Sequence, residues 1–220
     1  GILDPDDKVY NRGFFRNERL YPNYTLDDTA PPGDYDFVRA FKRSSNTYFI
    51  HYALTPDDRT DQWQQGKRIL LDWGNRFRLG KKTIKPWAIA GDELPSPIRE
   101  GEGYFPPRGN EFKKVDQYGK SSRWAAGDVA NLCIGQGEII VTPLQMAVMT
   151  SAVANGGKLM QPRLILRVNS PHALGQAQNR VIPRKVVADL NLKPETISLL
   201  HKAMLADVDD RDGSGRAARV

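Results

Sequence analysis

Catalysis needs a nucleophile, a base or an electrophile at a defined spacing, and two stretches of this sequence come near to offering one. Ser44-Ser45-Asn46 sets two hydroxyls and an amide side by side. A hydroxyl can pass on a proton, and an amide can hold a substrate carbonyl. The same residue types also serve as a helix cap or kink, so local pattern alone leaves both readings open. Gly135-Gln136-Gly137 brackets a glutamine with glycines, a turn that side chains would resist. Taken locally, it is a buried turn ahead of a core helix. Complete catalytic sets are missing. Neither Ser-x-x-Lys nor Gly-x-Ser-x-Gly occurs, and no phosphate-cradling loop or dinucleotide fingerprint is present, so no cofactor is expected. The carboxylate pairs Asp57-Asp58 and Asp209-Asp210 are neighbours in sequence and diverge on a helix, which makes a shared acid–base site improbable. His51, His172 and His201 lie far apart, and no metal site is expected. The single cysteine, Cys133, excludes a disulfide framework and a cysteine zinc site.

Helices must position these residues. Residues 1–33 are rich in Asp, Asn, Pro and Gly and read as extended or looped. Asp34 stands where a helix cap belongs, with Phe37, Val38 and Phe41 following at helical spacing. That helix should falter at Ser44-Ser45-Asn46 and resume over Thr47 to Leu54. A third helix starts near Pro56, carries Trp63, Ile69, Leu70, Trp73 and Phe77 on one stripe, and stops at Gly80. Residues 80–141, broken by prolines and glycines, read as one long irregular region, which is unusual unless functional. Thr142-Pro143-Leu144-Gln145 is the clearest helix start, a capping box with proline in the first turn, and Asn155-Gly156-Gly157 is its stop. Leu159 to Val168 suits a strand. Pro194 to Val208 forms a last helix, and Asp212 to Arg219 has no signal of its own. The expected architecture is mainly α, with four or five helices and few short strands.

The chain has 220 residues, 40% hydrophobic and 26% charged, as in one globular domain. No apolar run of 18 residues exists, and Gly1 to Asp7 lacks a signal-peptide core. Any tie to a membrane would run through an anchor outside the chain. The net charge of +6 comes largely from Lys158, Arg163, Arg167, Arg180, Arg184 and Lys185, a stretch without an acid. No nucleic-acid motif accompanies it, so no nucleic-acid partner is expected and a solvated basic edge is the simpler reading.

Both candidate stretches occur together, in this order, in one family. The sequence resembles the transpeptidase domain of class B penicillin-binding proteins, the D,D-transpeptidases that cross-link peptidoglycan. Gly135-Gln136-Gly137 through Thr142-Pro143-Leu144-Gln145 to Ala154-Asn155-Gly156-Gly157 is similar to its Gly-Gln-Gly segment and following helix. Val38-Arg39-Ala40 through Ser44-Ser45-Asn46-Thr47-Tyr48-Phe49 is similar to its Ser-x-Asn helix pair, Gly1-Ile2-Leu3-Asp4-Pro5 to the segment after its nucleophile helix, and Gly213-Ser214-Gly215-Arg216-Ala217 to the run-up to its Lys-Thr-Gly strand. The likeness is weak between Gly74 and Ser122, where Phe77-Arg78-Leu79-Gly80-Lys81-Lys82-Thr83-Ile84 replaces the family pattern.

The resemblance implies a serine β-lactamase-like α/β fold, of which residues 1–220 would be the central, chiefly helical part, without the Ser-x-x-Lys and Lys-Thr-Gly segments. It implies that Ser44 relays a proton, that Asn46 hydrogen-bonds the substrate's amide carbonyl, and that Gly135, Gln136 and Gly137 support the cleft wall; no metal is implied. The implied partners are a peptidoglycan stem peptide, β-lactams, and elongation or division proteins at the outer face of a bacterial plasma membrane. Acyl-enzyme chemistry needs the absent serine and lysine, so this chain alone is expected to be inactive. A non-catalytic relative serving as scaffold or sensor is the alternative.

Overall fold

The computed structural model describes residues 4–16, 25–54, 62–83, 87–89, 92–94, 100–107, 113–115, 118–168 and 180–219. In chain order these form β1 (Val9–Asn11), β2 (Phe14–Phe15), β3 (Leu26–Asp27), β4 (Gly33–Tyr35), α1 (Phe37–Lys42), α2 (Asn46–Leu54), α3 (Gln62–Arg76), β5 (Trp87–Ile89), β6 (Asp92–Leu94), β7 (Lys113–Val115), β8 (Ser121–Arg123), α4 (Ala126–Cys133), α5 (Pro143–Ala154), β9 (Lys158–Met160), β10 (Arg167–Val168), β11 (Arg180–Val181), β12 (Val186–Asp189) and α6 (Pro194–Asp209). The strands make only antiparallel pairs: β1 with β4, β2 with β3, β5 with β6, β7 with β8, β9 with β12, and β10 with β11. No larger sheet forms among the described residues, so the helices carry the packing.

Three apolar clusters hold them. Ile50 and Leu54 of α2, Leu71 of α3, and Val129, Ala130 and Leu132 of α4 make the largest, roofed by Trp124. Tyr35, Ala40 and Tyr48 join β4, α1 and α2. Ala152, Leu159 and Leu190 join α5 to β9 and the end of β12, with Trp73 and Phe77 packed against them.

The structure departs from the sequence reading at several points. The cap of α1 is Asp36, whose carboxylate accepts from the Arg39 N–H at 2.8 Å, while Asp34 lies in β4 opposite Tyr10. Strand pairing holds Asp34 extended, and the helix therefore begins two residues later. The helix break falls where expected, between Lys42 and Asn46. The start near Pro56 lies outside the described residues; α3 ends at Arg76 and a turn carries the chain to Gly80, at φ +68°. Within the region read as irregular, residues 80–141, lie two hairpins and α4. Alanine at the start of α4 offers no side-chain cap; instead the Asp128 carboxylate accepts from the Ala125 N–H at 2.8 Å. Burial of Val129, Ala130 and Leu132 against α2 and α3 stabilises this two-turn helix, and so short a segment has little helical preference alone. The expected strand at 159–168 divides into β9 and β10 of separate pairs. A 3₁₀ turn at Arg216–Ala218 occupies the tail that gave no signal.

Candidate functional site

The site is built around the break between α1 and α2. Ser44 sits in the left-handed region, at φ +54°, with its side chain exposed. That conformation is uncommon for a residue with a Cβ and persists only where the surroundings enforce it. The enforcement begins with backbone bonds, Ser44 N–H to Phe41 O at 3.1 Å and Ser45 N–H to Ala40 O at 2.9 Å. It is completed by Asp28, which arrives from the end of the β2–β3 hairpin. One Asp28 oxygen accepts from the Asn46 N–H (3.1 Å) and the Ala30 N–H (3.0 Å). The other accepts from the buried Ser45 hydroxyl (2.9 Å) and the Thr47 N–H (2.7 Å). Asp28 is therefore the cap of α2, supplied from 17–19 residues upstream. Burial pushes its carboxyl up, but the N–H groups of Thr47 and Ala30 and the nearby hydroxyls outweigh this and leave it below its ordinary value of 3.8. A carboxylate so held is an anchor, not a general base.

Asn46 donates one Nδ2 hydrogen to the Asp27 carbonyl at 3.1 Å, which fixes the amide plane and leaves the second hydrogen for a ligand. Ser44 Oγ makes no hydrogen bond among the described residues. The corner thus presents a free hydroxyl and an oriented amide from one rigid turn.

The C-terminal run docks beside it. Lys42 pairs with Asp210 (2.7 Å) and Asp212 (2.9 Å), Arg43 donates to the Asp212 carbonyl, and the Ser214 N–H donates to the Lys42 carbonyl at 2.9 Å. Asp207 collects the Ser214 hydroxyl and the Gly215 N–H. A Cβ at Gly213 would lie 2.0 Å from the Asp207 carbonyl oxygen, so this approach requires glycine. The segment after α6 is therefore docked on Lys42 and Arg43, at the end of α1, a proximity that sequence spacing does not reveal.

Gly135, Gln136 and Gly137 form a turn after α4, with both glycines at positive φ (+76° and +89°) and the Gln136 N–H donating to Asn131 O at 2.8 Å. The exposed turn borders a cavity of about 200 Å³, lined also by Trp124, Asp128, Asn131 and Glu138. Neither Ser44 nor Asn46 lines that cavity, so the two expected stretches do not share it. The capping box at Thr142 is present: Thr142 Oγ1 accepts from the Gln145 N–H at 3.2 Å, and Gln145 Oε1 from the Thr142 N–H at 3.3 Å. Gln145 does more than its sequence position shows. It is 1% exposed, takes the Gly80 N–H at 3.1 Å, and donates to the carbonyls of Lys81 and Glu102, each at 2.8 Å. It thereby ties two separate chain segments, at Gly80-Lys81 and at Glu102, to the start of α5.

The remaining reactive groups lie apart from the corner. Burial pushes the Cys133 thiol up to about 12, and its Sγ donates to Ala130 O. Burial lowers the His51 value, favouring the neutral ring. Among the described residues no three His, Cys, Asp or Glu side chains gather as metal ligands, and no helix is long and apolar enough to cross a membrane.

Comparison with known proteins supplies the family. Residues 108–220, just over half of the chain, match the family described as the penicillin binding protein transpeptidase domain. The chain belongs to this family. It is 33% identical over 165 residues to the peptidoglycan D,D-transpeptidase MrdA of Acinetobacter baumannii, covering 75% of this chain and 21% of that protein. It is 26% identical to MrdA of Haemophilus influenzae over 99% of this chain and 29% of that protein. The chain thus spans less than a third of these relatives. Penicillin-binding protein 2B of Streptococcus pneumoniae superposes with a TM-score of 0.70 at 17% identity, covering 98% of this chain and 33% of that one, which shows the fold.

Proposed function

We propose that the chain works as part of a serine-type peptidoglycan D,D-transpeptidase, and that it forms the helical portion of a domain whose nucleophile helix and substrate-binding strand come from outside these 220 residues. The observation that carries this reading is the Asp28-capped corner. It holds Ser44 Oγ free and Asn46 with one unused N–H, in a family where acyl transfer to a serine is the chemistry. Ser44 relays a proton between the base and the leaving group. Asn46 holds the stem peptide's amide carbonyl, and β-lactams enter by mimicking that peptide. Gly135, Gln136 and Gly137 shape the wall of the cleft from their separate turn. The protein acts at the outer face of the plasma membrane, anchored by a segment outside this chain, alongside elongation or division proteins.

Labelling with a fluorescent penicillin, read on a denaturing gel, tests this. The full parent protein should be labelled, and the 220-residue chain should not. In the parent, Ser44→Ala and Asn46→Ala should each slow acylation by roughly 10²-fold, the usual worth of a proton relay or an oriented polar contact. A folded parent that takes no label would overturn the reading in favour of a scaffold or sensor.

A further inference from the structure

The basic run at 158–185 takes no part in the corner just described, and the fold gives it a shape. In β9, Leu159 turns inward onto Ala152 and Leu190, so Lys158 and Met160 point the other way. Val186, which pairs with Met160 in register, is 50% exposed. With Asn155, Gln161, Arg163 and Arg184 these side chains line an open groove of about 490 Å³ on the outer face of the β9–β12 pair. Among the described residues, three cations line it and no carboxylate does. Arg163 is held in place by donating to the Ile182 carbonyl. Asp189, opposite Lys158 in register, turns its carboxylate to the Asn191 N–H at 2.9 Å, and the lysine has no ion pair among the described residues. None of the residues that line the groove belongs to the Ser44 corner.

We propose that this groove docks an extended acidic segment of a protein partner. The positive lining without internal acids calls for carboxylates. The exposed apolar faces of Met160 and Val186 suit the alternate side chains of an extended peptide, which an inorganic anion would leave uncovered. Among the described residues no aromatic side chain lines the groove, so stacking of nucleic-acid bases has no platform from them. The inference does not depend on the transpeptidase reading, because the groove and the corner share no residue.

Fluorescence anisotropy on the 220-residue chain tests it, with a fluorescein-labelled peptide of alternating glutamate and valine as the probe. Saturable binding that weakens with salt is expected. Replacing both exposed cations (Lys158→Gln with Arg184→Gln) should weaken it by about tenfold or more, which is about 1.4 kcal/mol. Removing equal charge elsewhere, with Arg68→Gln and Lys202→Gln, should change it less than about twofold, as expected for screened distant charges. The proposal is overturned if both double variants lose binding equally. It fails as well if the glutamine–valine peptide, inorganic polyphosphate or phosphatidylglycerol vesicles bind as well as the probe, or if no saturable binding occurs.

Discussion

Two helices of this protein, α2 and α5, are capped in opposite ways. The start of α5 closes on itself: Thr142 and Gln145, three residues apart, satisfy each other's backbone. The start of α2 cannot do so. Ser45 is buried against Asp28, and the backbone N–H groups of Asn46 and Thr47 are taken by that same carboxylate from a different hairpin. A local cap makes a helix that can start before the rest of the molecule is in place. A borrowed cap makes a helix start that exists only once the hairpin has docked. The borrowed cap belongs to the corner that must hold a strained serine, where rigidity matters most to the proposed chemistry.

The largest effect should come from the one residue that makes the α5 start depend on tertiary contacts as well. Gln145→Met fills similar volume but strands the Lys81 and Glu102 carbonyls and the Gly80 and Thr142 N–H groups. A loss of about 4 kcal/mol is expected in denaturant unfolding, given about 1–3 kcal/mol per stranded buried group. Asp28→Ala should follow, at about 3 kcal/mol from a lost cap and lost charged hydrogen bonds, and in the full parent it should also slow penicillin acylation. Asp28→Asn, which keeps only one acceptor oxygen, should fall between that variant and wild type. If Asp28→Ala unfolds like wild type, the borrowed cap is not what holds the corner.

The same carboxylate sets an acid limit. Its value in the folded state lies below the ordinary 3.8, so its contribution is complete above pH 3.8 and fades as pH falls through the lower folded value. Stability measured from pH 6 downward should drop in that acid window for wild type, and less steeply for Asp28→Asn. Thr142→Ala touches only the local cap and should cost about 1 kcal/mol. A cost as large as that of Asp28→Ala would erase the distinction between the two helix starts. Smallest, and opposite in sign, is Tyr48→Phe. The buried Tyr48 hydroxyl, beside Tyr52, has no well-formed hydrogen bond among the described residues, so its removal should leave thermal stability unchanged or raise it by up to about 1 kcal/mol.

These contrasts also explain what could be read in advance. The α5 capping box, its glycine stop and the helix from Pro194 rest on interactions between near neighbours in sequence, and each is found where the spacing placed it; the break at Ser44-Ser45-Asn46 is found there too, although Asp28 from a distant hairpin completes it. The α4 helix was not legible, because its stabilisation comes from burial against α2 and α3. Asp36 replaced Asp34 as a cap because strand pairing with β1 decides which aspartate is free to turn. Asp28 carried no sequence signal at all; an aspartate in a polar loop looks the same whether it faces water or caps a distant helix.

The sequence by itself determined the residue types of the Ser-x-Asn and Gly-Gln-Gly turns, most helix ends and the family likeness, since these depend on short-range backbone preferences and spacing. Only the tertiary structure decided that Asp28 clamps the corner, that the segment after α6 docks on Lys42 and Arg43, that the Gly-Gln-Gly cavity excludes Ser44 and Asn46, and that Lys158, Arg163 and Arg184 line one groove. Each of these depends on contacts between residues distant in sequence, whose partners are set by packing of the whole chain and not by any local preference.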